Sequence, residues 1–360
     1  MAKRKQMKKA LIFDPYLDTL GGGERYSLTF ALGLIENGYS VEIAWKDHET
    51  LTAAEDRFGL DLSKIKINKK AYTLCTEKTS LLRKFLFMIR FGLIFWVSDG
   101  SLPFLFSKNN LVHFQIPFKT IGGNSFVNKI KTFYIHKFVY NSRFTAAVHE
   151  THFPKSKSYV LYPPVDVESF KSGKKEDVIL SVARFDSPSH PKRQDILIDA
   201  FKVLNKAYPK FQLLLVGGGQ VSSDTMDKLK EKAGSLPIKF IVNPDFAKLK
   251  SLYAKAKFFW HAAGFEINEQ TDPEKVEHFG ITTVESMVSG SVPVVIGKGG
   301  QKEIISEGTG FLCADANEIA ENTIDLIKDE DLYQKMHIAA TDRTSLYSHT
   351  AFFSNLKKLI

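Results

Sequence analysis

Short apolar runs bounded by turn-forming residues recur along the whole chain, separated by stretches with helical periodicity. In the first half the runs predict strands at Lys9–Phe13, Ser40–Trp45, Lys64–Ile67, Leu93–Val97, Leu111–Phe114, Phe138–Asn141 and Ser158–Tyr162. In the second half they predict strands at Val178–Val182, Phe211–Val216, Ile238–Val242, Phe258–His261, Val292–Ile296 and Gly310–Leu312. Helical patterns lie between them, among others at Glu24–Asn37, Arg193–Ala207, Asp224–Ala233, Ala247–Ala256 and Ala316–Lys328. Such alternation argues for the α/β class, with parallel sheets covered on both faces. Pro163-Pro164 continues neither kind of element and divides the two series, and a polar stretch, Lys171–Asp177, follows it. The expected organisation is two Rossmann-like doubly wound domains, residues 1–165 and 166–342, facing across a cleft, with 343–360 a C-terminal helix packing back toward the first.

Charge changes the picture of the first half. The net charge of +9 over 360 residues resides entirely in residues 1–150, which hold 22 Lys+Arg against 13 Asp+Glu, while residues 151–360 hold 27 of each. Between Lys64 and Arg143 there are 14 basic residues and two acids, Glu77 and Asp99, so an anionic neighbour is expected there. Within that region Ser80–Phe91 reads as a helix with Arg83, Lys84 and Arg90 among Phe and Leu. It has the character of an interfacial helix on an anionic membrane surface. A core-facing helix with a solvated basic stripe fits the same pattern. No helix-turn-helix, zinc or RNA-binding motif accompanies the basicity, so nucleic acid is not the expected partner. Cys75 and Cys313 are isolated, which supports neither a disulfide nor a zinc framework and fits a reducing compartment. The apolar stretch after the basic N-terminus is too short for a signal-peptide core, and no run reaches the roughly 18 apolar residues of a membrane span. The expected location is the cytoplasm, peripheral on the inner face of a membrane.

Several motifs carry chemistry. Glu277-His-Phe-Gly-Ile-Thr-Thr-Val-Glu285 holds two carboxylates separated by Gly280, so Glu277 falls in a loop and Glu285 just inside a helix. A helix N-terminus there offers amides and positive potential to an anion, and the carboxylates suit sugar hydroxyls. Thr282 and Glu285 also fit a capping box, which alone would account for Glu285. Between Val182 and Asp195 a strand ends in Arg184, and a Pro-containing loop brings Lys192 to the next helix. Two cations so placed would neutralise a diphosphate leaving group, although solvated surface charge reads the same way. Gly21-Gly22-Gly23 follows the first strand and lets backbone approach a ligand, but it matches neither a dinucleotide fingerprint nor a P-loop. Gly299-Gly300 adds a second glycine turn, expected as a flexible loop at the same cleft.

Taken in order, Glu277-x7-Glu285, Met287, Gly290, Pro293-Val-Val and Gly299-Gly300 resemble the signature of family 4 glycosyltransferases, retaining enzymes of GT-B architecture. Arg184 with Lys192, Gly21-Gly22-Gly23, Asn141–Phe144 and Tyr162–Asp166 also sit where that family places its segments, so the resemblance runs from about residue 10 to 315. It implies that Glu285 bonds the donor ribose and that Glu277 contacts the donor sugar. The amides of Phe279, Gly280, Ile281 and Thr282 would assist, Arg184 and Lys192 would hold the diphosphate, and Gly22 and Gly23 would approach diphosphate or acceptor. Asn243 would lie near the base. The donor would be a GDP- or UDP-sugar, the group moved a hexose such as mannose, and the acceptor a glycan or lipid-linked molecule, with neither metal nor cofactor.

One departure bears on mechanism. Many relatives carry a His in a H-x-P context where this chain has Gln115 in His113-Phe-Gln115-Ile-Pro117. Glutamine cannot act as a general base near neutral pH. That fits front-face transfer, in which the leaving phosphate helps deprotonate the acceptor, and makes His113 the substitute to examine. The turn-rich Glu266–Lys275 stretch is a second departure, expected as a lid or specificity loop. The competing functions are a sugar-nucleotide epimerase or hydrolase of the same architecture and a non-enzymatic binder of anionic polymers.

Overall fold

The computed structural model describes residues 8–121, 125–185, 190–219 and 222–360. The basic N-terminal heptapeptide and the Asp186–Ser189 part of the Arg184–Lys192 motif lie outside the described residues. The chain divides into two compact units, one running to Pro164 and completed by Thr350–Ile360, the other Val165–His349.

The first unit holds strands β1 (Lys8–Phe13), β2 (Tyr39–Ile43), β3 (Lys66–Ile67), β4 (Leu93–Val97), β5 (Asn109–Phe114), β6 (Lys137–Tyr140) and β7 (Ser158–Val160). They form one parallel sheet in the order β3-β2-β1-β4-β5-β6-β7. The second holds β8 (Glu176–Val182), β9 (Gln212–Gly217), β10 (Ile238–Val242), β11 (Ala256–His261), β12 (Val292–Ile296) and β13 (Phe311–Cys313), parallel in the order β10-β9-β8-β11-β12-β13. All thirteen expected strands are present, because runs such as Val292–Ile296, buried at every position, can be satisfied only inside a covered sheet. Each unit is therefore a doubly wound α/β sheet.

In the first unit both sheet faces are covered. Leu28, Phe30, Val41 and Phe95 pack on one, and Leu11, Ile94, Val112 and Phe138 on the other. The C-terminal helix His349–Leu359 joins the first of these cores through Phe352, Leu356 and Leu359. Its approach is close: a side chain at Gly33 would begin 2.9 Å from Leu356, and Tyr159 donates to the carbonyl of Asn355 at 2.7 Å. In the second unit Leu197, Phe201, Leu213, Trp260 and Val294 centre the core.

The expected Ser80–Phe91 helix spans Leu81–Met88, capped by Ser80. Only Phe87 and Met88 are buried in it, while Leu81, Leu82, Phe85 and Leu86 face solvent. A wholly core-facing helix is thus excluded.

Candidate functional site

In the second sheet the chain winds outward from β8 through β9 to β10, then returns to β11 and winds the other way. The winding reverses between β8 and β11, and the carboxyl ends of strands at such a reversal are the usual ligand position in sheets of this kind. Arg184 lies two residues past the end of β8, and His261 is the last residue of β11. Arg184 is exposed there, and its carbonyl accepts from Gln194 at 2.9 Å.

Glu277 is the hub of this end of the sheet. Its Oε2 accepts from Lys192 Nζ at 2.8 Å and lies 2.8 Å from His261 Nε2. The Lys192 and Glu277 side chains are only 11% and 14% exposed. Burial raises the carboxyl, but the Lys192 ammonium and the hydrogen bond from His261 outweigh it and hold Glu277 well below the usual carboxylate range. An ionised carboxylate only accepts, so His261 Nε2 carries a proton. His190 and His278 stack beside the pair with ring centroids 4.8 Å apart. Burial, reinforced by the Lys192 charge, pushes His190 down to about 3, and burial likewise lowers His278. Both rings are therefore neutral near pH 7 and add no charge beside the Lys192–Glu277 pair. Arg193, with φ 52°, caps the Gln194–Ala207 helix and is held by Asp195 and the carbonyl of Phe265.

Glu277 does sit in a loop, and Glu285 does lie inside the helix Ile281–Val288. That helix begins at Gly280, whose φ of 113° a side chain would not tolerate and whose Cβ would meet Gln301 at 2.8 Å. The capping-box alternative fails for this reason, since Thr282 is the second helical residue rather than the cap. Thr283 N already bonds the Gly280 carbonyl, and helix geometry leaves the amides of Ile281 and Thr282 at the positive end without intrahelical acceptors. Glu285, 7% exposed, accepts instead from the fully buried Tyr253 hydroxyl at 2.9 Å. Phe279 is buried and packs edge-on against Tyr347.

Gly299-Gly300 is not the flexible loop expected. A Cβ on Gly299 would lie 2.1 Å from the Glu277 carbonyl, and one on Gly300 2.4 Å from the Phe279 Cα. Gly300 N donates to the Glu277 carbonyl at 2.7 Å. These glycines clamp the Glu277 loop rather than reach for a ligand. Glu269, in the expected lid, accepts from Gly299 N and from Lys302 Nζ, so this part of the stretch is pinned to the same clamp. Asn243, with φ 49°, bonds Gly219 through both ends of its amide, at 2.9 and 3.2 Å.

In the first unit, Gly21 caps the helix Gly22–Glu36 and donates to Glu24 at 2.5 Å. Gln115 lies immediately past β5, its side chain against Gly23, where a Cβ would lie 1.8 Å from its Oε1. Its Nε2 is buried with no hydrogen-bond partner among the described residues. His113 is not a substitute base. It is fully buried, stacked on Tyr26 at 4.3 Å and bonded to the Val139 carbonyl, and burial pushes it down to about 3.

Three features escaped the sequence. His261 could have been suspected as a polar residue ending an apolar strand, and Asp14 for the same reason. Asp14 is fully buried at the end of β1, accepts from Ser27 at 2.6 Å, and is raised to about 7 by burial. Tyr253, inside a helix, gave no signal. Among the described residues no cluster of three or more His, Cys, Asp or Glu could hold a metal ion. None of their helices is long and apolar enough to cross a membrane.

Residues 165–343 match the family described as glycosyl transferases group 1. Over 221 residues the chain is 29% identical to a Dictyostelium discoideum protein named GDP-Man:Man(3)GlcNAc(2)-PP-Dol alpha-1,2-mannosyltransferase, covering 56% of this chain and 42% of that one. The chain thus spans about two-fifths of this curated relative. Among solved structures it resembles a glycosyltransferase from Rickettsia africae (TM-score 0.74, 18% identity, 98% of each chain). It also resembles Anabaena HepE in complex with UDP (TM-score 0.73, 17% identity, 98% of this chain and 99% of that one). At these identities the likeness establishes the fold, a GT-B-like pair of Rossmann domains.

Proposed function

Residues 165–343 belong to the glycosyl transferases group 1 family, and from that premise we propose that the chain is a retaining hexosyltransferase. It moves a hexose from a nucleoside-diphosphate sugar to a glycan or lipid-linked acceptor. The observation that carries the reading is the cluster at the switch point of the second sheet: Lys192 and His261 each within hydrogen-bonding distance of Glu277, in the loop that leads into the Ile281–Val288 helix. A diphosphate suits this end because Arg184, exposed just past β8, and the leading helix amides supply positive charge, while Lys192, paired with Glu277, is shared with the diphosphate on binding. Glu277, ionised and fixed, is suited to accept from donor-sugar hydroxyls, and Glu285 from ribose hydroxyls. No metal is required where two cations and a helix N-terminus take the charge.

In the reaction the acceptor oxygen bonds to the anomeric carbon on the face from which the diphosphate departs. The bond from that carbon to the phosphate oxygen breaks, and the acceptor proton passes to the leaving phosphate. Gln115 cannot take that proton, and His113 is enclosed in the core. Mannose carried on GDP is the first donor to test, because the curated relative is named for it. The basic first unit favours an acceptor at an anionic membrane surface on the cytoplasmic side.

Calorimetry with GDP, UDP and ADP tests the site: one should bind, and failure of all three would reject the reading. A panel of nucleotide sugars with product detection then fixes base and hexose. Consumption of the sugar nucleotide without any acceptor would favour an epimerase or hydrolase instead.

A further inference from the structure

Of 17 large hydrophobic side chains exposed among the described residues, 10 belong to two short helices of the first unit. One is Leu81–Met88 with its cap Ile89; the other is Phe126–Tyr134, which has no buried residue. Phe126 and Phe133 are 78% and 79% exposed, and Leu82 is 67% exposed. Phe106 joins the two helices, with its ring 5.4 Å from Phe85 on one and 6.0 Å from Tyr134 on the other. The apolar residues thus form one face rather than two scattered sets, and exposed faces of this kind mark interaction sites.

Charge selects the partner. The face is interleaved with Arg83, Lys84, Arg90, Lys129 and Lys131, inside a segment with 14 basic residues against two acids. The Arg90 guanidinium lies over the Phe87 ring at 4.7 Å and the Lys131 ammonium over Phe104 at 5.1 Å, so cations sit directly among the aromatic residues. Helices of this length reach about 12–14 Å, far less than the ~30 Å hydrocarbon thickness, so they can lie in an interface but not cross it. We propose that the two helices together form a docking pad for an anionic lipid bilayer, with Phe126 and Phe133 entering the acyl boundary. The proposal rests on the reading of a membrane-bound acceptor and assigns its docking to named residues, including a second helix with no counterpart in the basic-helix pattern of the sequence.

Flotation of the full chain with vesicles of phosphatidylcholine alone, or mixed with phosphatidylglycerol, tests it at low and high salt. Binding should require the anionic lipid and weaken with salt. Phe126→Ser with Phe133→Ser should lower it by at least a hundredfold, from roughly tenfold or more per phenylalanine. Arg83→Ser with Lys129→Ser should lower it by roughly fivefold per charge. These positions are exposed, so circular dichroism and thermal melting should not change. Equal binding to neutral vesicles, no flotation of the wild type, or undiminished flotation of the Phe variant would overturn the pad. A wild-type dimer that the Phe variant dissociates would overturn it too, assigning the face to a second copy. Nucleoside-diphosphate binding, measured on the same preparations, separates the outcomes: its retention without flotation sinks the pad alone, and its absence from the wild type sinks the transferase.

Discussion

Glu277→Gln isolates the charge at the hub of the second unit while preserving its shape. At 2.8 Å and an effective dielectric near 20, the Lys192–Glu277 attraction is about 6 kcal/mol before desolvation. Desolvating two groups that are 11% and 14% exposed offsets much of it. Removing one partner of a buried pair costs about 3–5 kcal/mol, and Gln keeps an acceptor for Lys192, so a loss of about 2–3 kcal/mol is expected. Urea unfolding followed by Trp260, in a background with Trp45→Phe and Trp96→Phe, reads the second unit directly. Because Glu277 titrates well below its ordinary value of 4.5 when folded, its stabilisation is complete above that value. It falls as pH drops through the depressed folded pKa, so the gap between wild type and variant should be full near pH 7 and narrow in acid. His190 and His278 also lose stability on acidification, but they are present in both proteins and largely cancel. A gap absent near pH 7, or one that persists unchanged in acid, would refute the ion-pair account. Transfer by the variant should fall by roughly a hundredfold or more, as for loss of one preorganised polar contact.

Tyr253→Phe removes the 2.9 Å hydrogen bond to the Glu285 carboxylate, which should lower the second unit's stability by about 1.5–3 kcal/mol. It should also weaken nucleoside-diphosphate binding by calorimetry, and unchanged affinity would detach Glu285 from the nucleotide. Gly299→Ala places a methyl against the Glu277 carbonyl at a φ of 58°, so the Glu277 loop must move. Transfer should drop by about tenfold or more from this displacement, with the fold intact by circular dichroism, and full turnover would show that the clamp does not position Glu277.

The strand pattern was legible in the sequence because parallel strands covered on both faces must be apolar nearly throughout, which local composition records. The same holds for the Gly280 break, since a helix that starts at φ 113° admits only glycine without strain, and it put Glu277 in a loop and Glu285 in a helix. Roles for side chains across different elements were not legible. His113 looked like a spare imidazole, yet strand alternation turns it into the core against Tyr26. Gly299-Gly300 looked flexible, yet its glycines are there because the Glu277–Phe279 backbone leaves no space for a Cβ. Lys192 became a partner of Glu277 only when the sheet order set β8 beside β11, and Tyr253 a partner of Glu285 only when the helices flanking β11 packed together. Strand and helix type and the glycine breaks are set over a few residues, so the chain carries them in its local pattern. Hydrogen bonds and ion pairs depend on distances between segments far apart in sequence, and those distances exist only after folding.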